Sequence, residues 1–159
     1  MRFHLIDRID SWEPMRRISA RKATSVYEDY WQSAPGGPVM PSGLVLEALC
    51  QAGAWLVLLS SDHRQRAALL SIGEFTMFRD VTPGDVLHMT AEATSVRRRT
   101  AMVDGRVEVD GVPILAARGL MCGLIEAERL DDPADTARMA DVLLGRGPFA
   151  GPALGKEAG

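Results

Sequence analysis

The sequence predicts an α+β domain in which an antiparallel sheet wraps around one long central helix, and two stretches of the chain carry that expectation. Gly43 to about Ser60 is apolar on nearly all sides, the pattern of a helix buried all round rather than one lying on a surface. The second half reads as strands over Leu69–Arg79, Asp85–Arg97, Ala101–Asp110 and Pro113–Ile125. These are parted by the turn signals Thr82-Pro83-Gly84-Asp85, Arg97-Arg98-Arg99 and Asp110-Gly111. One buried helix followed by a long antiparallel meander is an α+β pattern.

The remaining elements follow in chain order. Phe3 to about Ile6 reads as a short strand or a turn leading into one. Arg17–Val26 partly alternates and is β-branched near its end, which suits a half-exposed strand. Between Pro35 and Pro41, three prolines and two glycines in seven residues make an ordered loop. Ser42 is placed to cap the helix that follows. Within that helix Glu47 and Gln51 are four apart and share a face. Ser60-Ser61-Asp62-His63 ends it. Asp132-Pro133 opens a short amphipathic helix reaching Leu144, with proline in its first turn. Pro148–Gly159, rich in Gly, Pro and Ala, reads as a flexible tail. The expected organisation is one domain over residues 1–125 and an extension over 126–159.

The 159 residues, 47% apolar and 25% charged, suffice for one core and rule out wholesale disorder. A formal charge of -3 argues against a dedicated nucleic-acid binder. Cys50 and Cys122 lie far apart in apolar runs and read as buried free thiols of a reducing compartment, hence a cytoplasmic protein. The start is charged by Asp7 and lacks the apolar core of a signal peptide. The run Leu44–Leu59 carries Glu47 and Gln51 and is shorter than the roughly 20 apolar residues that cross a bilayer, so no membrane span is expected. No Cys/His/Asp/Glu spacing suggests a metal site. Gly145-Arg146-Gly147 has no strand before it and is not a dinucleotide loop, so no cofactor is expected.

Three motifs resemble one family. Phe3-His4-Leu5-Ile6-Asp7-Arg8-Ile9 looks like the opening of the 3-hydroxyacyl-acyl carrier protein dehydratases of fatty-acid synthesis. Gly37-Pro38-Val39-Met40-Pro41 followed by Leu46-Glu47-Ala48-Leu49-Cys50-Gln51 resembles their loop and central-helix motif. Phe78-Arg79-Asp80-Val81-Thr82-Pro83-Gly84-Asp85 is similar to their strand-turn-strand signature. The resemblance runs from about Phe3 to Ile125. It implies a hotdog fold, a homodimer with joined sheets, and acyl tunnels at the subunit interface. It also implies acyl carrier protein or acyl-coenzyme A thioesters as partners. A lone protomer of this kind exposes a sheet edge, which makes pairing physically reasonable.

The implied reaction removes water from a 3-hydroxyacyl thioester: a base takes a proton from C2, and an acid protonates the departing hydroxyl at C3. In the family a histidine of one subunit and a carboxylate on the partner's helix share this work. The carboxylate position carries over to Glu47, whose pKa should be raised by desolvation in an apolar helix. The histidine position holds Ser33, and Gly37 replaces a second histidine often found in that loop. An unassisted serine hydroxyl titrates too high to act as the base. Of the other histidines, none is placed near Glu47 by the sequence: His4 precedes the first motif, His63 lies past the central helix, and His88 alternates outward from Leu87, Met89 and Ala91. Pro41 and Ser42 sit where free backbone N–H groups and the helix dipole polarise a carbonyl. The family has glycine at the position of Ser42. Gln51 is placed to orient the carboxylate. Met40, Pro41, Gly43 and Phe78 complete the expected substrate contacts.

Arg97-Arg98-Arg99, with Arg64 and Arg66, offers charge to an acidic carrier or a coenzyme A phosphate. Solvated charge at a hairpin turn explains those residues equally well. Two other functions fit the same residues. One is an acyl-thioesterase using Glu47 and Ser42. The other is a non-catalytic acyl-binding subunit, including half of a heterodimer whose partner supplies histidine.

Overall fold

In the computed structural model, which describes residues 4–146, the apolar run forms helix α1 (Ser42–Ser60) and packs against every strand of a six-stranded antiparallel sheet. Before it come β1 (Arg8–Glu13), β2 (Arg17–Ala23), β3 (Gln32–Ala34) and β4 (Gly37–Val39); after it come β5 (Gln65–Met77), β6 (Val86–Val96), β7 (Thr100–Val109) and β8 (Val112–Glu126). A 3₁₀ turn at Ala127–Arg129 leads to α2 (Pro133–Leu143). By length and composition α1 would suffice to cross a bilayer, but here it is the core helix of the sheet.

The sheet order is β1-β2-β6-β7-β8-β5. Only β6, β7 and β8 therefore form the expected meander. β5, directly before β6 in the chain, pairs instead with β8 and becomes an outer edge, while β2 takes the place beside β6. Register shifts at Ile9/Ser11, Leu69/Ser71, Ala93/Ser95 and Val103/Gly105 bend the strands. The expected turn at Asp110-Gly111 is present, with φ of 50° and 76°; both are left-handed, as the tight two-residue hairpin between β7 and β8 requires.

Three local expectations are corrected. The loop before α1 contains a small hairpin, with Ser33 of β3 opposite Pro38 of β4, because Pro35-Gly36 makes a turn rather than merely interrupting structure. Ser42 is the first residue of α1 and not its cap. Pro41, at φ -54° and ψ 134°, holds that place, and its carbonyl accepts the N–H groups of Leu44 (2.9 Å) and Val45 (3.2 Å). Nor is α1 buried all round: Ser42, Gly43 and Glu47 are exposed, and Leu44, Cys50, Gln51 and Ala54 are half-buried. Phe3 and Pro148–Gly159 lie outside the described residues.

α2 begins as expected. The Asp132 carboxylate accepts the N–H of Ala134 at 2.9 Å, and Pro133 occupies the first helical position. Ala140 and Leu143 join the same core as α1 and the sheet. Arg66 of β5 ties the helix down through Asp131 (2.7 Å) and the hydroxyl of Thr136 (3.4 Å). Asp132→Ala is expected to cost about 0.5–2 kcal/mol, because it removes the cap. Urea unfolding of the two proteins measures the difference.

Candidate functional site

Glu47, Gln51, Ala54, Trp55 and Leu58 are spaced four, seven, eight and eleven residues along α1, so they line one flank of it. The Gln51 side chain joins two parts of the chain there. Its Nε2 donates to Glu47 Oε1 at 3.1 Å, and its Oε1 accepts the backbone N–H of Leu5 at 2.8 Å. The carboxylate of Glu47 is thus oriented by Gln51. Its side chain is exposed, not buried as the apolar run suggested, although Trp55 and Leu58 further along the same flank are buried.

Two cavities meet at Glu47. The larger, about 810 Å³, runs along the flank from Glu47 and Gln51 to Trp55 and Leu58, with Met139 and Val142 of α2 opposite. The smaller, about 210 Å³, lies between α1 and the sheet and is lined by Cys50, Leu69, Val103 and Cys122 as well as Glu47. Both cysteines are free thiols. Burial, reinforced by the charge of Glu47 and then by Cys122, pushes the Cys50 thiol up from 9.0 to about 12. Burial raises Cys122 as well. Cys50 therefore remains protonated near neutrality, which fits packing rather than nucleophilic attack. Iodoacetamide at pH 8 is expected to leave Cys50 unmodified in the folded chain and to alkylate it after unfolding, as read by intact mass. Since the folded chain keeps this proton to higher pH than the unfolded one, stability should fall as pH rises from about 9 towards 12.

The sequence did not place His4 near Glu47, yet it lines the larger cavity with it. The physical reason is the Leu5–Gln51 hydrogen bond together with burial of Leu5 and Ile6, which pin the segment beside α1. Leu5 and Ile6 are consecutive and both buried, and nothing near them in the sequence names Gln51 as the partner. His88 is exposed on β6 between buried Leu87 and Met89, as expected. His63 follows α1 with a left-handed backbone (φ 61°) and lines neither cavity.

The other expected site residues are dispersed in the single chain. Ser33 is exposed on β3 and lines neither cavity. Ser42 and Gly43 form the exposed first turn of α1, roughly 6–8 Å along the helix axis from Glu47 at 1.5 Å per residue. Pro41 caps that turn, and Met40 before it is buried in the core, its N–H bonded to the carbonyl of Val81 at 2.9 Å. Phe78, 58% exposed, continues the edge strand β5, away from both cavities. Trp55 and the α2 residues Met139 and Val142 were missed by the sequence reading. The amphipathic pattern of α2 was visible, but not the surface it covers. Of the arginines, Arg66 is held by Asp131, whereas Arg98 and Arg99 line a groove with Arg129 at the far end of β8.

The family model described as a FabA-like domain matches residues 1–118. The 3-hydroxyacyl-[acyl-carrier-protein] dehydratase FabZ of Symbiobacterium thermophilum is 36% identical over 127 residues, covering 79% of this chain and 89% of that protein. The FabZ of Herpetosiphon aurantiacus is 33% identical over 126 residues, covering 78% and 89%. Among solved structures, a protein from Streptococcus mutans bound to acetyl-CoA superposes with a TM-score of 0.61 at 17% identity, covering 79% of this chain and 94% of that one. A mutant thioesterase from Pseudomonas aeruginosa superposes with a TM-score of 0.59 at 18% identity, covering 75% and 81%. These structures share the hotdog fold with this chain.

Proposed function

Since the chain belongs to the FabA-like family, we propose that it acts on 3-hydroxyacyl thioesters and removes water across C2 and C3, with Glu47 at the reacting position. The observation that carries this reading is the setting of Glu47. It lies inside the matched residues, opens onto both cavities and is held by Gln51. The larger cavity falls within the roughly 300–1,000 Å³ of small-ligand sites, and its Trp55, Leu58, Met139 and Val142 walls suit an acyl chain.

The chemistry asks for two things of the chain. The thioester carbonyl must be polarised so that the C2 proton becomes acidic. The backbone N–H groups of Ser42 and Gly43 in the first turn of α1, with the helix dipole behind them, are suited to that task. A carboxyl must then protonate the hydroxyl leaving C3, which is the role of Glu47, while Gln51 acts as a positioning residue. Ser33 occupies the position where the resemblance puts histidine, so the second proton-transferring group is supplied from elsewhere.

The thioester is carried by an acyl carrier protein or by coenzyme A. The functional unit is a homodimer: among the described residues β5 is an edge strand whose outer side is unpaired, and it exposes Leu69, Leu70, Ile72 and Phe75. A second copy laid along β5 would cover those residues and approach the open flank bearing Glu47. The free thiols fit the cytoplasmic setting expected from the sequence.

The test is to incubate the protein with 3-hydroxyacyl thioesters of several chain lengths and follow intact substrate mass. Loss of one water supports the dehydratase reading. Release of the free acid would replace it with a thioesterase. Binding without any change in mass would replace it with an acyl-binding subunit, or with half of a heterodimer completed by a histidine-bearing partner.

A further inference from the structure

We propose that His4 is the second proton-transferring group, acting within the same chain as Glu47; this assignment rests on the dehydratase reading. Both side chains line the 810 Å³ cavity. The segments that carry them are joined by one residue, since Gln51 accepts from Leu5 N–H and donates to Glu47. Along that path, across a planar amide with C=O and C–N bonds of about 1.2 and 1.3 Å, the Leu5 nitrogen lies within about 8.5 Å of Glu47 Oε1. His4 is the adjacent residue, so its imidazole and the carboxyl open onto one space on the scale of a short substrate segment.

The other charged groups of the cavity are already engaged. Arg66 of β5 is held by Asp131 at 2.7 Å, and Arg138 of α2 by Asp135. Proton exchange in the cleft therefore falls to His4 and Glu47, and imidazole is the side chain whose charge ordinarily changes between about pH 5 and 8. In the step assigned to it, neutral His4 takes the C2 proton, and the C2–H electron pair becomes the C2=C3 bond. The C3–O bond breaks, and the hydroxyl leaves as water with the proton carried by the Glu47 carboxyl. Transfer of the proton from imidazolium to the Glu47 carboxylate restores both groups.

The experiment compares the full chain with His4→Gln, His4→Gly and, as a control on the outer face of the sheet, His88→Gln. Dehydration rate is measured across pH, and binding of a saturated acyl thioester is read by tryptophan fluorescence, to which Trp55 in the cavity wall contributes. His4→Gln is expected to lose about 10²–10⁴-fold in rate with binding retained. The acid limb of the wild-type profile should vanish with it, added imidazole should restore part of the rate of His4→Gly, and His88→Gln should match the wild type. If the wild type dehydrates and His4→Gln keeps its rate and its acid limb, the assignment of His4 is overturned while the dehydratase reading stands. If the wild type binds the 3-hydroxyacyl thioester and leaves its mass unchanged, both are overturned.

Discussion

Glu47→Gln is expected to lower the rate of water loss from a 3-hydroxyacyl thioester by about 10²–10⁴-fold, the usual contribution of a positioned acid or base. The amide matches the carboxyl in size and remains in reach of Gln51, but it is neither an acid nor a base near neutral pH. Because Glu47 is exposed in the single chain, the loss should not come from misfolding: exposed substitutions change stability by about 0.5 kcal/mol or less. The thermal midpoint should then stay within about 2 °C of the wild type. Thiol release that survives the substitution would assign any hydrolysis to another residue. An unchanged dehydration rate would remove Glu47 from the chemistry altogether.

The second large effect concerns stability. Gly105 lies on β7 against Leu49 of α1. A Cβ there would stand 2.7 Å from Leu49 Cδ1 and 2.8 Å from the carbonyl oxygen of Thr90. Leu49 can turn aside, but the Thr90 backbone cannot move without disturbing the β6–β7 ladder. Gly105→Ala is therefore expected to cost about 1–3 kcal/mol by overpacking and to lower the thermal midpoint by roughly 3–10 °C. Leu49, fully buried, should cost about 2–5 kcal/mol when cut to alanine, because a cavity remains beneath α1. The double variant should lose about 0.5–3 kcal/mol less than the two costs together, since each change relieves the other. Strict additivity in denaturant unfolding would place the whole cost of the alanine on the Thr90 carbonyl.

What the sequence revealed was local. The apolar run that became α1, the strands β6, β7 and β8, the Asp110-Gly111 hairpin and the Asp132-Pro133 helix start each depend on residues within a few positions of one another. Strand order does not: nothing near Gln65–Met77 distinguishes pairing with β8 from pairing with β6, because the choice is made by how the sheet covers α1. The same limit applies to the site. Glu47 and Gln51 were readable as one helix face, since four residues of spacing place them there. The apolar neighbours suggested burial, yet Glu47 is exposed and Gln51 only half-buried. His4 was not placed near Glu47 by the sequence, because its nearness depends on a hydrogen bond between Leu5 and Gln51, 46 residues apart.

The path of α2 has a consequence for how the molecule opens. At its start Asp131 grips Arg66 on β5, and just past its end Gly145 lies against the Arg8 side chain on β1. β5 and β1 are the opposite margins of the sheet and never pair with each other. One short helix outside residues 1–118 thus works as a clasp between them. When the clasp releases, amides at the two margins should become exchangeable in the same event, although four strands separate them. A weakened start to α2 should make them exchange together and earlier than the central strands. Access to the cleft beneath the helix would then be tied to the cohesion of the whole sheet.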